Sequence, residues 1–159
     1  STFRGEEKYR ILFEGIACWA NLRFTYKTLQ ANGINLTASV YGPAFSFLYS
    51  NLDELMAAYA YVPNSNCFEA EVQLRVRDAI KNKVDGAIIH VNRSCKKWSG
   101  NLYEMERQLR ERAGIPTVMF DGDQSDPRCF SEAQYETRIQ ALTEIMEARR
   151  MKKEGAVHG

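Results

Sequence analysis

The sequence predicts an α/β fold: a four-stranded parallel sheet with helices on both faces. Three observations predict it. Short apolar runs bounded by Gly, Pro, Asn or Asp recur along the 159 residues and are too short to be helices. Between them lie stretches with apolar residues at helical spacing and helix-start signals. One run, Ala87 to Val91, is apolar apart from His90. Nearly continuous apolar strands of that kind belong to parallel sheets covered on both sides.

Taken in order, Tyr9 to Gly15 reads as the first strand. A helix from about Asn21 to Asn32 follows, stopped by Gly33 in a left-handed conformation. Ile34 to Tyr41 is the second strand, closed by Gly42-Pro43. Asn51 with Glu54 pairs a cap with its acidic third-position partner, ahead of a second helix. Asn66 with Glu69 repeats the arrangement before a third, which carries Phe68, Val72, Val76, Ala79 and Ile80 on one face. The third strand is Ala87 to Val91. Asn101 with Glu104 opens a fourth helix that ends at Gly114, and Ile115 to Phe120 is the fourth strand. Ser131 with Gln134 forms a capping box, and Phe130 with Tyr135 its hydrophobic staple. The last helix carries Ile139, Leu142 and Met146 and frays between Arg149 and Gly155. Right-handed crossovers then favour the flavodoxin-like strand order 2-1-3-4. Residues 1–159 read as one domain, with 1–8 as a tether and 153–159 as a loose tail.

Composition narrows the function. A net charge of +1 makes no case for nucleic acid or an anionic membrane. No apolar run approaches the roughly 20 residues that span a bilayer, and the N-terminus lacks the apolar core of a signal peptide. It also lacks a starting Met, which fits a chain cut from something longer. Four widely spaced cysteines, Cys18, Cys67, Cys95 and Cys129, form no CxxC pair. A domain with this much core needs no disulfides, so a reducing, cytoplasmic setting is expected. With only His90 and His158, no His-rich metal cluster can form. Phosphate-cradling glycine loops, a GxSxG elbow and a visible Cys–His pairing are all absent.

In open α/β sheets, ligands bind beyond the carboxyl ends of the strands. That edge gathers Glu14 to Trp19, Tyr41 to Pro43, Asn92 to Ser99 and Asp121 to Arg128. Cys95 stands there beside Arg93, Lys96 and Lys97, cations that favour the thiolate, the form that ligates metal or attacks electrophiles. Bland readings stand beside these. Asp121-Gly122-Asp123 suits a simple turn, Glu14 suits a helix cap, His90 suits a satisfied core position, and Cys67 reads as structural.

The run Asp85 to Ser99, with its His-Val-Asn-Arg-Ser-Cys-Lys, resembles the cluster-binding segment of the 2-hydroxyacyl-CoA dehydratase/benzoyl-CoA reductase family. Gly114 to Arg128, Phe130 to Arg138 and Glu14 to Trp19 resemble the same family's following strand, loop, helix and first strand end. The resemblance implies the C-terminal domain of a longer subunit, similar to the D component of 2-hydroxyglutaryl-CoA dehydratase. That subunit would hold a 4Fe–4S cluster through three cysteines, and Cys95 matches the one ligand this domain supplies. It implies a homologous second subunit, an ATP-dependent iron–sulfur activator and an acyl-CoA substrate. It also implies anaerobic radical chemistry, in which one electron enters the thioester carbonyl and hydroxide leaves, or, in the reductase branch, electrons enter an aromatic ring. Glu14, Cys18, Trp19, Asn92, Arg93, Ser94, Lys96, Asp121 and Asp123 are the expected cluster or substrate neighbourhood. No catalytic residue is singled out, and the chain alone is expected to be inactive. The rival from another class is a flavodoxin-like module that binds a ligand or partner at the same edge without redox chemistry.

Overall fold

In the computed structural model, which describes residues 3–62 and 65–157, four strands alternate with helices along the chain. The strands are β1 (Tyr9–Glu14), β2 (Ile34–Ser39), β3 (Gly86–Asn92) and β4 (Thr117–Gly122). The helices are α1 (Leu22–Ala31), α2 (Tyr41–Phe45), α3 (Leu52–Tyr59), α4 (Phe68–Lys81), α5 (Lys96–Ser99), α6 (Leu102–Gln108) and α7 (Glu132–Val157). All strand pairs are parallel, in the order β2-β1-β3-β4, as the sequence predicts.

Alternation along the central strands builds two cores. Ile11, Phe13 and Ile88 face α1 and α7, where they meet Leu29, Tyr135, Ile139, Leu142 and Met146. Leu12, Ala87 and Ile89 face α4 and α6, where they meet Val72, Ala79, Leu102 and Met105. Burying both faces of β1 and β3 explains why these strands read as almost unbroken apolar runs.

Several local expectations hold. Asn51 accepts a hydrogen bond from the Glu54 backbone N–H at 2.9 Å. The Phe130 and Tyr135 rings sit 5.6 Å apart as a staple. Gly33 ends α1 at φ +68. Others are corrected. β2 stops at Ser39, and Tyr41 opens α2 instead, with Pro43 in the first turn where a missing N–H costs nothing. The cap of α4 is Cys67, since the Asn66 side chain donates back to the Val62 carbonyl. Ile80 is 63% exposed, and the buried stripe of α4 is Glu71, Val72, Arg75 and Ala79. Cys67, read as structural, is exposed. After α6 the chain widens into a π turn, Leu109–Ala113, before Gly114 ends it. α7 does not fray at Gly155 but runs to Val157, helped by helix-forming residues and the Arg150 pairs with Glu147 and Glu154. Within the expected tether, Lys8 donates its backbone N–H to the Gly33 carbonyl at 2.8 Å. Residues 1–2 and 158–159 of the expected tether and tail, His158 included, lie outside the described residues.

Candidate functional site

The exits of β3 and β4 are locked together. The buried Asn92 side chain donates to Gln124 at 3.0 Å and accepts the Gln124 backbone N–H at 3.2 Å. The Arg93 backbone N–H reaches the Gly122 carbonyl at 3.0 Å. Asp123 holds the next residue: its carboxylate accepts from both the backbone N–H and the hydroxyl of Ser94. It also accepts the backbone N–H groups of Ser125 at 2.8 Å and Asp126 at 3.0 Å. Those donors, the Ser94 hydroxyl foremost, depress the Asp123 pKa to about 2. The aspartate is therefore more than turn chemistry; it fixes the loop that presents Cys95. Cys95 is half-buried and sits at the N-cap of α5. Of the three cations around it, Arg93 lies 3.8 Å from Asp121 and Lys97 bonds Glu71 of α4 at 2.7 Å. Lys97 thereby ties α5 to α4, while the Arg93–Asp121 contact is loose and exposed.

Glu14 turns toward α4 and not to the open edge. It is buried in an ion pair with the equally buried Arg75, whose Nε–H donates to it. Desolvation pushes the Glu14 pKa up, and Arg75 pulls against that shift. The two Nη atoms of Arg75 are buried with no hydrogen-bond partner among the described residues. The sequence signal for this pair is the charge itself: Arg75 and Glu71 fall four apart on the apolar side of α4.

On the opposite face of the sheet stands a pair that has no local signature in the sequence. Cys18 Sγ lies 3.2 Å from His90 Nε2. His90 Nδ1–H donates to the Ile16 carbonyl, leaving Nε2 to accept the thiol proton. The imidazole stacks on Phe120 with centroids 4.9 Å apart, and burial lowers its pKa. Burial raises the Cys18 pKa to about 11, so this pair is neutral thiol and neutral imidazole at pH 7. The contact joins residues 72 apart, which is why no motif betrays it.

Two glycines make the space. Gly15, at φ +105, turns the chain out of β1 against the His90 carbonyl, where a Cβ would come within 2.9 Å. A Cβ on Gly122 would stand 2.7 Å from His90 Nε2 and 2.8 Å from Cys18 Sγ. Gly122→Ala should therefore destabilise the domain by about 1–3 kcal/mol through overpacking. Gly42→Ala, which meets nothing within 4 Å, should be near neutral. Urea unfolding of both variants checks this, and equal midpoints would contradict it. Trp19 is exposed above this face, 5.8 Å from the Tyr41 ring, whose hydroxyl accepts the Ala17 N–H.

Among the described residues no group of three His, Cys, Asp or Glu side chains could hold a metal ion. What the edge offers is a half-buried cysteine, Cys95, on a loop fixed by Asp123 and Asn92. No described helix is long and apolar enough to cross a membrane.

The family model described as 2-hydroxyglutaryl-CoA dehydratase, D-component, matches residues 1–146. The (R)-phenyllactyl-CoA dehydratase alpha subunit of Clostridium sporogenes is 58% identical over 150 residues, covering 94% of this chain and 37% of that protein. The (R)-2-hydroxyglutaryl-CoA dehydratase alpha subunit of Acidaminococcus fermentans is 55% identical over 148 residues, 93% of this chain and 31% of that protein. A benzoyl-CoA reductase subunit of Thauera aromatica is more distant, 28% identical over 153 residues, 91% of this chain and 35% of that protein. The chain thus spans about a third of the length of the curated relatives it matches.

Proposed function

Because the chain belongs to the 2-hydroxyglutaryl-CoA dehydratase D-component family, we propose that it is the C-terminal domain of a 2-hydroxyacyl-CoA dehydratase subunit and supplies one thiolate, Cys95, to a 4Fe–4S cluster. The observation that carries this is the loop: a half-exposed cysteine held at the carboxyl edge of the sheet by the Asn92–Gln124 and Ser94–Asp123 bonds. The residues present fit one corner of a cluster, and no group of three His, Cys, Asp or Glu side chains among the described residues could hold a metal ion by itself. The remaining ligands belong to other parts of the subunit, and the domain alone is inactive.

When bound, the cluster supplies the low-potential electron that the thioester carbonyl accepts before water is lost. The work of this chain is positional. Asp123 fixes Ser94, and thereby the direction in which Cys95 leaves the sheet. Glu71 holds Lys97 and so docks the turn after Cys95 on α4. Lys96 stands beside the site as a cation that offsets the cluster's negative charge. The buried Cys18 and His90 pack against Gly122, just before Asp123 in the chain. A homologous second subunit, an ATP-dependent iron–sulfur activator and an acyl-CoA complete the reading, set in the anaerobic cytoplasm. The dehydratase branch is preferred over the reductase branch because identity to the dehydratase subunits is 58% and 55%, against 28% to the reductase subunit.

The test is the complete subunit with its partner and activator, under anaerobic conditions with ATP. Conversion of a 2-hydroxyacyl-CoA to the 2-enoyl-CoA is expected. Reduction of benzoyl-CoA with no dehydration would overturn the assignment, and so would full cluster loading with no turnover of either substrate.

A further inference from the structure

The segment between β2 and α4 carries apolar side chains that the domain leaves in water. In α3, Leu52, Leu55, Met56 and Tyr59 recur at the spacing by which a helix seats one face on a core. No residue of α3 is buried. Just ahead of it, Phe45 is 80% exposed and Leu48 fully so. Phe47 packs its ring edge-on against Tyr59, centroids 5.5 Å apart, so the segment folds on itself with the stripe still open. Rings also join this surface to the sheet. Tyr41 stacks on Phe45 at 6.3 Å and meets Trp19 at 5.8 Å, and its hydroxyl accepts the Ala17 N–H. The segment therefore leaves the carboxyl end of β2 beside the exit of β1, on the edge of the parallel sheet at which β3 delivers Cys95. Proteins in water rarely expose a contiguous apolar surface of this kind unless something covers it.

Charge and length separate the occupants. Between Lys27 and Arg75 the sequence has no Lys, Arg or His, while Asp53 and Glu54 stand in the first turn of α3. Two copies meeting through this face would set carboxylate against carboxylate, with no cation of the face to answer them. The chain spans about a third of the length of the curated relatives it matches. Most of such a subunit lies outside this domain, tethered to it and so present at high effective concentration. The cluster reading brings that remainder to this same edge, because the ligands other than Cys95 come from it. We propose that the α2–α3 face is where the rest of the subunit docks, through an apolar surface rimmed by cations. The inference rests on the reading of the chain as one domain of a longer subunit and adds the surface by which the parts meet.

Hydrogen exchange read by mass spectrometry compares α3 in the 159-residue chain with α3 in the complete subunit, taken without its second subunit. The α3 amides should exchange roughly tenfold or more slowly in the complete subunit. Leu48→Glu and Met56→Glu supply the second arm. Both positions are exposed, so neither variant should move the urea midpoint of the 159-residue chain. In the complete subunit each should return α3 exchange toward the rate of the short chain. Asp53→Lys tests the rim and should speed α3 exchange in the complete subunit at low salt. Equal exchange in the two proteins would overturn the proposal. So would protection that appears only when the second subunit is added, or protection in the short chain that rises with its concentration, the mark of a second copy. Glutamate variants that leave the complete subunit's exchange unchanged, or an Asp53→Lys variant with parental exchange, would count against it equally. None of these readings uses a cluster or turnover. A subunit that shields α3 but binds no iron would fail the cluster reading alone, and one that binds iron with α3 open would fail this one alone.

Discussion

Arg75→Met should destabilise the domain by about 3–5 kcal/mol, because it leaves Glu14 buried without its counter-charge. Both side chains of this pair are only 1% exposed, so solvent cannot take over the lost interaction. The variant should also acquire a pH dependence of definite sign. Burial already raises the Glu14 pKa, and Arg75 is the group that opposes the rise. Without Arg75 the folded-state pKa climbs further above the ordinary value of about 4.3. A folded pKa above the unfolded one means that the native state holds the proton more tightly. Stability of the variant is therefore greatest below the unfolded pKa. It falls as pH rises from there through the raised folded pKa, then levels off once Glu14 ionises in both states. The parent should show the same sign with smaller amplitude. Urea unfolding across that range checks the slope. The double variant Glu14→Gln, Arg75→Met should recover much of the loss, since replacing both partners removes the stranded charge. A single variant within about 1 kcal/mol of the parent and flat with pH would show that the pair is not the strong buried contact described here.

The strand order was legible because it rests on patterns that burial imposes on most residues: almost unbroken apolar runs in β1 and β3, with helical stripes between. The phase of α4 was not. An apolar count places Ile80 inside, but the structure spends core positions on Glu71 and Arg75, because Glu14 ends β1 pointing into that layer. A charge on an apolar stripe is ambiguous until its partner, 61 residues away, is known. The same limit hid Cys18–His90. Each residue alone reads as a small buried side chain or a satisfied histidine, and only the pairing of β1 with β3 brings them together. The loop of Cys95 was legible for a different reason. Its residues are contiguous, so Asn92, Arg93, Ser94 and Cys95 carry their own context. The partner residues Gln124 and Asp123 follow from the adjacency of β3 and β4. What the sequence could not show is where those cations reach: Lys97 bonds Glu71 on α4, and Arg93 lies 3.8 Å from Asp121.

Cys95→Ser in the complete subunit should abolish stable cluster binding and activity while the fold persists. Serine keeps the size and the polarity but offers a harder and far less acidic donor, and iron–sulfur clusters depend on thiolates. The side chain stands beyond β3 at the N-cap of a one-turn helix, where it makes no capping hydrogen bond. The backbone contacts that fix the loop, Cys95 N–H to the Asn92 carbonyl and Ser99 N–H to the Cys95 carbonyl, survive the change. Stability should therefore move by no more than about 1 kcal/mol. Two of the other three cysteines supply the control. Cys18 is buried with its thiol pushed up to about 11, a poor source of thiolate. Cys67 is exposed beside α4, on the other flank of the sheet layer from Cys18. Serine at either of these positions should leave iron content unchanged. The measurement is iron and sulfide per subunit, the visible absorption of the cluster, turnover with activator and ATP, and circular dichroism, all without oxygen. Loss of iron at Cys95→Ser alone, with native circular dichroism, is the expected result. Full iron occupancy and normal turnover in that variant would remove the cluster role from this chain. The edge of the sheet would then have to be read as a binding surface without redox chemistry.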